Sequence, residues 1–135
     1  MIAAIRIKGK VDVPKDIEET LYRLRLRRKY ACVIFNEEKF KPILKKVRDY
    51  VAYGAINEET LKELIKKRAK PLQNKKVNVE KIIENLKNGK KLSETGIKPF
   101  FRLHPPRGGI KSKEHYPKGV LGENKKINEL ILRML

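Results

Sequence analysis

The chain has 135 residues, which suits one compact domain or a small core with an appendage and excludes a large multidomain enzyme. Hydrophobic residues make up 40% and charged residues 37%, well above the roughly 25% charged of an ordinary globular chain. Lysine and arginine number 34 against 16 acids, a formal charge of +18 that repels itself in a compact state unless a polyanion cancels it, and nucleic acid is the commonest polyanion.

The first eight residues alternate, with Ala3, Ile5 and Ile7 on one face and Arg6 and Lys8 on the other, which predicts a half-buried strand. Gly9 to Asp12 turn the chain. Pro14 then fits the first turn of a helix whose early acids, Asp16, Glu18 and Glu19, complement the positive end of the dipole. Ile17, Leu21 and Leu24 follow at helical spacing, and the charge changes sign at the far end, with Arg23, Arg25, Arg27, Arg28 and Lys29. The apolar run from Ala31 to Phe35 predicts a buried strand. Pro42 opens a second helical pattern, Ile43, Leu44 and Val47, set among Lys41, Lys45, Lys46 and Arg48. Tyr50, Val51 and Tyr53 predict a third strand running to Ile56, with Gly54 weakening its far end.

Asn57 is placed to cap a helix that carries Glu58 and Glu59 first, Leu61, Leu64 and Ile65 on one stripe, and Lys66, Lys67 and Arg68 last. Asn78 can cap another, with Val79, Ile82, Ile83 and Leu86 on one side and Gly89 as its stop. The stretch from Lys90 to Gly122 holds four of the seven prolines and five of the eight glycines, so it is expected to be largely irregular apart from a short strand at Phe100, Phe101 and Leu103. Ile127, Leu130, Ile131 and Met134 close the chain as an amphipathic helix. The class is therefore α+β: a βαβαβ core with a three-stranded sheet over residues 1–56, and a helical and Pro/Gly-rich basic extension over 57–135. The positive charge is spread along the whole chain rather than gathered in a tail.

Cys32 is the single cysteine, so no internal disulfide and no thiolate zinc cluster can form, and a reducing compartment is expected. Neither a secretory signal nor an apolar window of membrane-spanning length is present, which places the chain in the cytoplasm. Gly89 and Lys90 lack the Ser or Thr of a phosphate-binding P-loop, and two histidines with one cysteine make a poor metal set. No cofactor, metal or small-molecule substrate is called for.

Two constellations carry binding chemistry. Arg23, Arg25, Arg27, Arg28 and Lys29 put five cations into seven residues, interleaved with Leu24 and Leu26. Arginine's planar fork matches phosphate geometry, and the leucines anchor the segment so that the cations fan outward. A solvated helix end would carry the same charges, but the +18 excess favours phosphate binding. The second runs from Phe100 through Arg102, His104, Pro105, Pro106, Arg107, Lys111 and Lys113 to His115, Tyr116 and Lys118, where proline stiffens, glycine permits close approach and the bases meet phosphates. Phe101 and Leu103 are expected in the core. Tyr22, Tyr30, Tyr50 and Tyr53 are assigned to packing ahead of base stacking. His104 and His115 are the only acid–base pair a small ribonuclease could use, and nothing in the sequence supplies a third partner.

Six blocks in order carry a family resemblance: Ala4 to Gly9, Asp16 to Leu21, Leu24 to Arg28, Lys46 to Gly54, Phe101 to Gly109 with its Arg-Leu-His-Pro-Pro-Arg run, and Ile127 to Ile131. Over nearly its full length the chain resembles the archaeal ribosomal protein L-thirty family, with eukaryotic L-seven relatives. The resemblance implies a core like half of a ferredoxin-like sheet, an archaeal C-terminal extension, and a non-catalytic structural constituent of the large ribosomal subunit in the cytoplasm. It implies large-subunit rRNA and neighbouring ribosomal proteins as partners, and a monomer within the ribosome, with no membrane. The expected RNA contacts are Arg23, Arg25, Arg27, Arg28, Lys29, Lys41, Lys45, Lys46, Arg48, Arg102, His104, Arg107, Lys111 and Lys113. A free-standing RNA assembly factor or nucleoid-type protein would share the charge, and a small ribonuclease is the remote alternative.

Overall fold

The computed structural model describes residues 2–9, 13–35, 41–68, 79–88, 100–106, 116, 119 and 121–135, with the Lys41 side chain left aside. Three five-residue strands form its centre: β1 (Ile2–Arg6), β2 (Ala31–Phe35) and β3 (Val51–Ala55). β1 lies between the other two and is antiparallel to both, with Ile5 opposite Cys32 on one side and Ala52 on the other. Helix α1 (Lys15–Arg23) joins β1 to β2, and α2 (Lys41–Lys46) joins β2 to β3. Then come α3 (Glu58–Arg68), α4 (Val79–Lys87), the two-residue strands β4 (Phe101–Arg102) and β5 (Gly122–Glu123), and α5 (Ile127–Met134).

The expected βαβαβ order is present, and the expected three-stranded sheet is the middle of a larger one. β4 adds antiparallel to β2 and β5 adds parallel to β3, giving five strands in the order β4-β2-β1-β3-β5. The short strand expected at Phe100 to Leu103 is thus found as β4. β5 lies where irregular chain was expected, because two residues leave no readable alternation and Gly122 enters with a positive φ of 80°.

A correction concerns β1, expected to be half-buried. All five of its residues are buried, and so is Ile7. The alternation is real, since Ala3, Ile5 and Ile7 join one core while Ile2 and Ala4 join another. Neither face meets water, however. α1, α2 and the turns that follow them cover one face through Leu21, Leu24, Leu26, Leu44 and Val47. The other is covered by Leu61, Leu64 and Ile65 of α3, Ile82, Ile83 and Leu86 of α4, and Ile127, Leu130, Ile131 and Met134 of α5. Arg6, expected beside Lys8 on an open face, is fully buried for the same reason.

Local signals explain the elements. Asn57 caps α3 as expected, its Oδ1 accepting from the Thr60 N–H at 2.8 Å. The apolar stripes of α3, α4 and α5 are the buried residues named above, each worth about 1.5–3 kcal/mol as it leaves water. Lys87 donates to Glu58 Oε1 at 2.9 Å, tying the end of α4 to the start of α3 and holding the Glu58 carboxyl below its ordinary range. Cys32 is a core residue, and burial pushes its thiol up to about 12, which makes it inert as a nucleophile or metal ligand at neutral pH. The caps expected at Asn78 and Gly89 lie outside the described residues.

Gly54 does not weaken β3. It sits opposite Ala3 within the ladder, and a Cβ there would collide with the Asn124 carbonyl oxygen and press on Ile127. Its missing side chain lets the β5–α5 connection approach the sheet, where the Asn124 N–H donates to the Tyr53 carbonyl at 2.7 Å. Gly54→Ala is therefore expected to cost about 1–3 kcal/mol in urea unfolding; an unchanged midpoint would mean that α5 can retreat without loss.

Candidate nucleic-acid interface

The basic segment after α1 is built on a helix terminus with defined geometry. The Leu26 N–H donates to the Leu21 carbonyl at 2.9 Å and the Arg25 N–H to the Tyr22 carbonyl at 3.1 Å, the paired bonds of a Schellman cap. Leu24 ends the helix and Leu26 is fully buried close to Leu21, supplying the apolar contact that accompanies such caps. Arg25 occupies the left-handed position, with φ 66°, where glycine is usual. A non-glycine residue there costs about 1–2 kcal/mol. Tyr30 also has φ 66°, at the point where the segment enters β2.

The buried Arg6 guanidinium holds this segment from beneath. Nη1 donates to the Leu26 carbonyl at 2.9 Å, Nε to the Lys8 carbonyl at 3.0 Å, and Nη2 to the Gly9 carbonyl at 3.2 Å and to Glu18 Oε2 at 3.1 Å. The Arg6 carbonyl in turn accepts from the Tyr30 N–H. Both ends of the segment are thus tied to one residue of the central strand. Its alternating pattern follows: Leu24 and Leu26 face inward, and Arg25, Arg27, Arg28 and Lys29 stay exposed.

Topology gathers further cations. β1 ends, and β2 and β3 begin, at the same end of the sheet, because both neighbours are antiparallel to β1. Lys45, Lys46 and Arg48 are exposed where α2 turns into β3. The Ile7 and Lys8 N–H groups both donate to the Tyr50 carbonyl, at 3.0 and 3.2 Å, and Lys8 Nζ lies 5.6 Å from the Tyr50 ring centroid. Burial and the Glu123 carboxylate raise the Tyr53 phenol above its ordinary value, and the Arg48 charge opposes them. On the other flank Arg102 pairs with Ala31, so the chain leaves β4 at this end too, and the exposed His104 donates its backbone N–H to the Met134 carbonyl at 2.9 Å. Four strands at about 4.8 Å spacing make this cationic edge roughly 14 Å wide.

Among the expected contacts, Arg25, Arg27, Arg28, Lys29, Lys45, Lys46, Arg48, Arg102 and His104 meet at this end. Arg23 lies inside α1 and is bound to Glu19 at 2.7 Å, an exposed pair worth at most about 1 kcal/mol that a phosphate can displace. Arg107, Lys111, Lys113 and the Lys41 side chain lie outside the described residues, as does His115. The flanks of the Pro/Gly-rich basic segment, His104 and Leu121, both stand at the cationic end, since β5 runs parallel to β3.

The sequence did not show how some of these residues pair, and Tyr22, expected to pack, is exposed. Arg27 lies 4.1 Å from the ring centroid of the exposed Tyr22, which fixes the guanidinium plane. Phe100 and Arg102, 5.8 Å apart, close a cleft of about 310 Å³ with Arg25, Arg27, Arg28, Lys29, Ala31 and Leu103. The Tyr22–Arg27 spacing of five residues looks like no helix pair, because the Schellman turn reverses the chain between them. Among the described residues no group of three or more His, Cys, Asp or Glu can hold a metal ion, and no helix is long and apolar enough to cross a membrane.

The family model described as ribosomal protein L30p/L7e matches residues 2–51 of this chain. The large ribosomal subunit protein uL30 of Aeropyrum pernix is 42% identical over 157 aligned positions, covering 100% of this chain and 99% of its own. The proteins of the same name from Archaeoglobus fulgidus and Staphylothermus marinus are 40% and 41% identical, covering 99% and 100% of this chain and 99% and 98% of their own.

The geometry separates stability from charge. Arg6→Ala strands the buried Leu26 carbonyl, removes the donors to the part-buried Lys8 and Gly9 carbonyls and empties a fully buried position, and is expected to lose about 3 kcal/mol or more in urea unfolding. Arg25→Gly relieves the left-handed strain, and is expected to be as stable as the parent, or up to about 1 kcal/mol more stable, while binding RNA more weakly. A clear loss of stability in Arg25→Gly would show that the arginine side chain supports the fold.

Proposed function

The chain belongs to the ribosomal protein L30p/L7e family, and on that premise we propose that the cationic end of its sheet docks on large-subunit rRNA while the protein serves as a structural constituent of that subunit. The observation that carries the docking reading is convergence. Cations from three separated stretches of the sequence, 25–29, 45–48 and 102–104, stand at one end of one sheet, and the most crowded stretch is held there by a buried arginine at the cost of a left-handed backbone.

Arg25, Arg27, Arg28, Lys29 and Arg102 meet phosphates in this reading, with Lys45, Lys46 and Arg48 on one flank and His104 on the other. Lys41, Arg107, Lys111, Lys113 and Arg23 extend the same footprint. Folded RNA is recognised chiefly through its backbone and shape, as expected of contacts dominated by Arg and Lys. Residues 1–56 act as the core unit and 57–135 as the extension that covers it, and the neighbouring contacts are other ribosomal proteins. The protein has no catalytic role in this reading: His104 is bound through its backbone and serves as a contact.

In a sucrose gradient at moderate salt the protein is expected to sediment with large subunits. Triple replacement Arg25→Ala, Arg27→Ala and Arg28→Ala is expected to weaken binding to large-subunit rRNA and to flatten its salt dependence by about 0.7–0.9 log unit per lost phosphate contact. An unchanged slope would remove these three residues from the interface, and a protein found off the ribosome would favour a free-standing RNA-binding factor.

A further inference from the structure

We propose that the cleft between the arginine-rich segment and β4 receives a single unpaired RNA nucleotide, its base stacked against Phe100 and its phosphates held by the surrounding arginines. The inference rests on the rRNA-docking reading and goes beyond phosphate contact.

The cleft differs from the rest of the cationic end in shape and chemistry. Lys45, Lys46 and Arg48 are exposed on an outer surface, suited to a passing backbone. Here a space of about 310 Å³ has Ala31, Phe100 and Leu103 as its apolar part and Arg25, Arg27 and Arg102 among its rim. That volume is at the lower end of the range for small-molecule pockets, roughly 300–1,000 Å³, and admits a nucleotide but not a base pair still in its stack. A partner binding by charge alone has no use for an apolar floor. Apolar surface beneath arginines matches a ligand with a flat π-face and an attached anion.

The positions also look prepared. Phe100 lies on the opposite side of β4 from Phe101, which is fully buried, and it packs only in part against the α1–α2 core. Arg102 stands over its ring, 5.8 Å from the centroid, so a base that stacks on Phe100 enters between the two and meets the guanidinium on its other face. Across the cleft, Arg25 keeps its left-handed φ of 66° without being glycine. Strain of that kind persists where the surrounding structure over-determines it, and it concentrates at ligand clamps. The walls themselves are fixed, with the Leu103 N–H donating to the Tyr30 carbonyl at 3.1 Å and the Ala31 N–H to the Arg28 carbonyl at 3.1 Å.

The test uses the full-length protein and RNA hairpins of equal length, one fully paired and four carrying a single bulged A, C, G or U. The parent is expected to bind at least one bulged hairpin roughly tenfold more tightly than the paired one, the effect of stacking one base on an aromatic ring. Phe100→Leu, which keeps the apolar packing, should lose that preference while still binding the paired hairpin as the parent does. Phe100→Tyr should restore it, and adenosine monophosphate in excess should compete only with the bulge-dependent part. A parent that binds paired and bulged RNA alike would overturn the nucleotide cleft and leave phosphate docking standing. A Phe100→Leu variant that weakens both equally would also overturn it, by making Phe100 a packing residue. A parent that binds none of the hairpins but sediments with large subunits would refute the bulge cleft alone, whereas failure in both experiments would refute the docking reading as well.

Discussion

The buried guanidinium of Arg6 is the interaction on which the shape of this protein's cationic end depends. An arginine in a central strand is expensive to desolvate, and it persists only when nearly every donor is matched. Arg6 meets that condition by drawing in carbonyls from Lys8, Gly9 and Leu26 and the carboxylate of Glu18. Satisfying one side chain therefore fixes three pieces of backbone: the exit of β1, the first turns of α1 and the segment after α1. A hydrophobic residue at position 6 would fill space in the core without dictating where Leu26 must lie.

With Leu26 fixed from beneath and Leu21 beside it, the intervening residue must take a left-handed conformation, and the sequence puts arginine there. Stability alone would favour glycine. Four neighbouring cations also repel one another, which adds to the self-repulsion of an +18 chain. A bound polyanion relieves the repulsion, whereas the left-handed strain belongs to the Schellman turn itself.

Much of the fold was legible because it follows local rules. The Leu61, Leu64, Ile65 stripe with its Asn57 cap, the closing stripe from Ile127 to Met134, and the acid-to-base gradient of α1 all resolve within a few residues. What escaped notice is non-local. The alternation in β1 assigned side chains to the correct faces, yet whether a face is wet depends on α3, α4 and α5, which begin at Glu58, Val79 and Ile127. Arg6 looked like a surface residue because its acidic partner is twelve positions away and its other partners are carbonyls, which carry no sequence signal. Gly54 looked like a weak point of a strand because the atom it makes room for belongs to Asn124. For the site, charge density revealed the segment from Arg23 to Lys29, whereas the meeting of Arg48 and Arg102 with it is a product of strand order. Phe100 was visible within its block, but its role depends on facing away from Phe101.

The family-model match covers residues 2–51 and stops at the first residue of β3. A sheet of β1, β2 and β3 with α1 and α2 on one side has Ala3, Ile5, Ile7, Cys32, Ile34 and Ala52 on the other, an apolar face that must be covered. Helices α3, α4 and α5 cover it, and β4, which follows α4, lies beside β2 so that Arg102 stands next to Ala31 where the arginine-rich segment enters β2. Burial of the second face and completion of the cationic cleft are then one event. A change that loosens Phe101, Leu103 or the Met134 carbonyl from its place also displaces Phe100, Arg102 and His104 relative to Arg25 and Arg27, so the packing of β4 and α5 and the geometry of the cationic end are coupled.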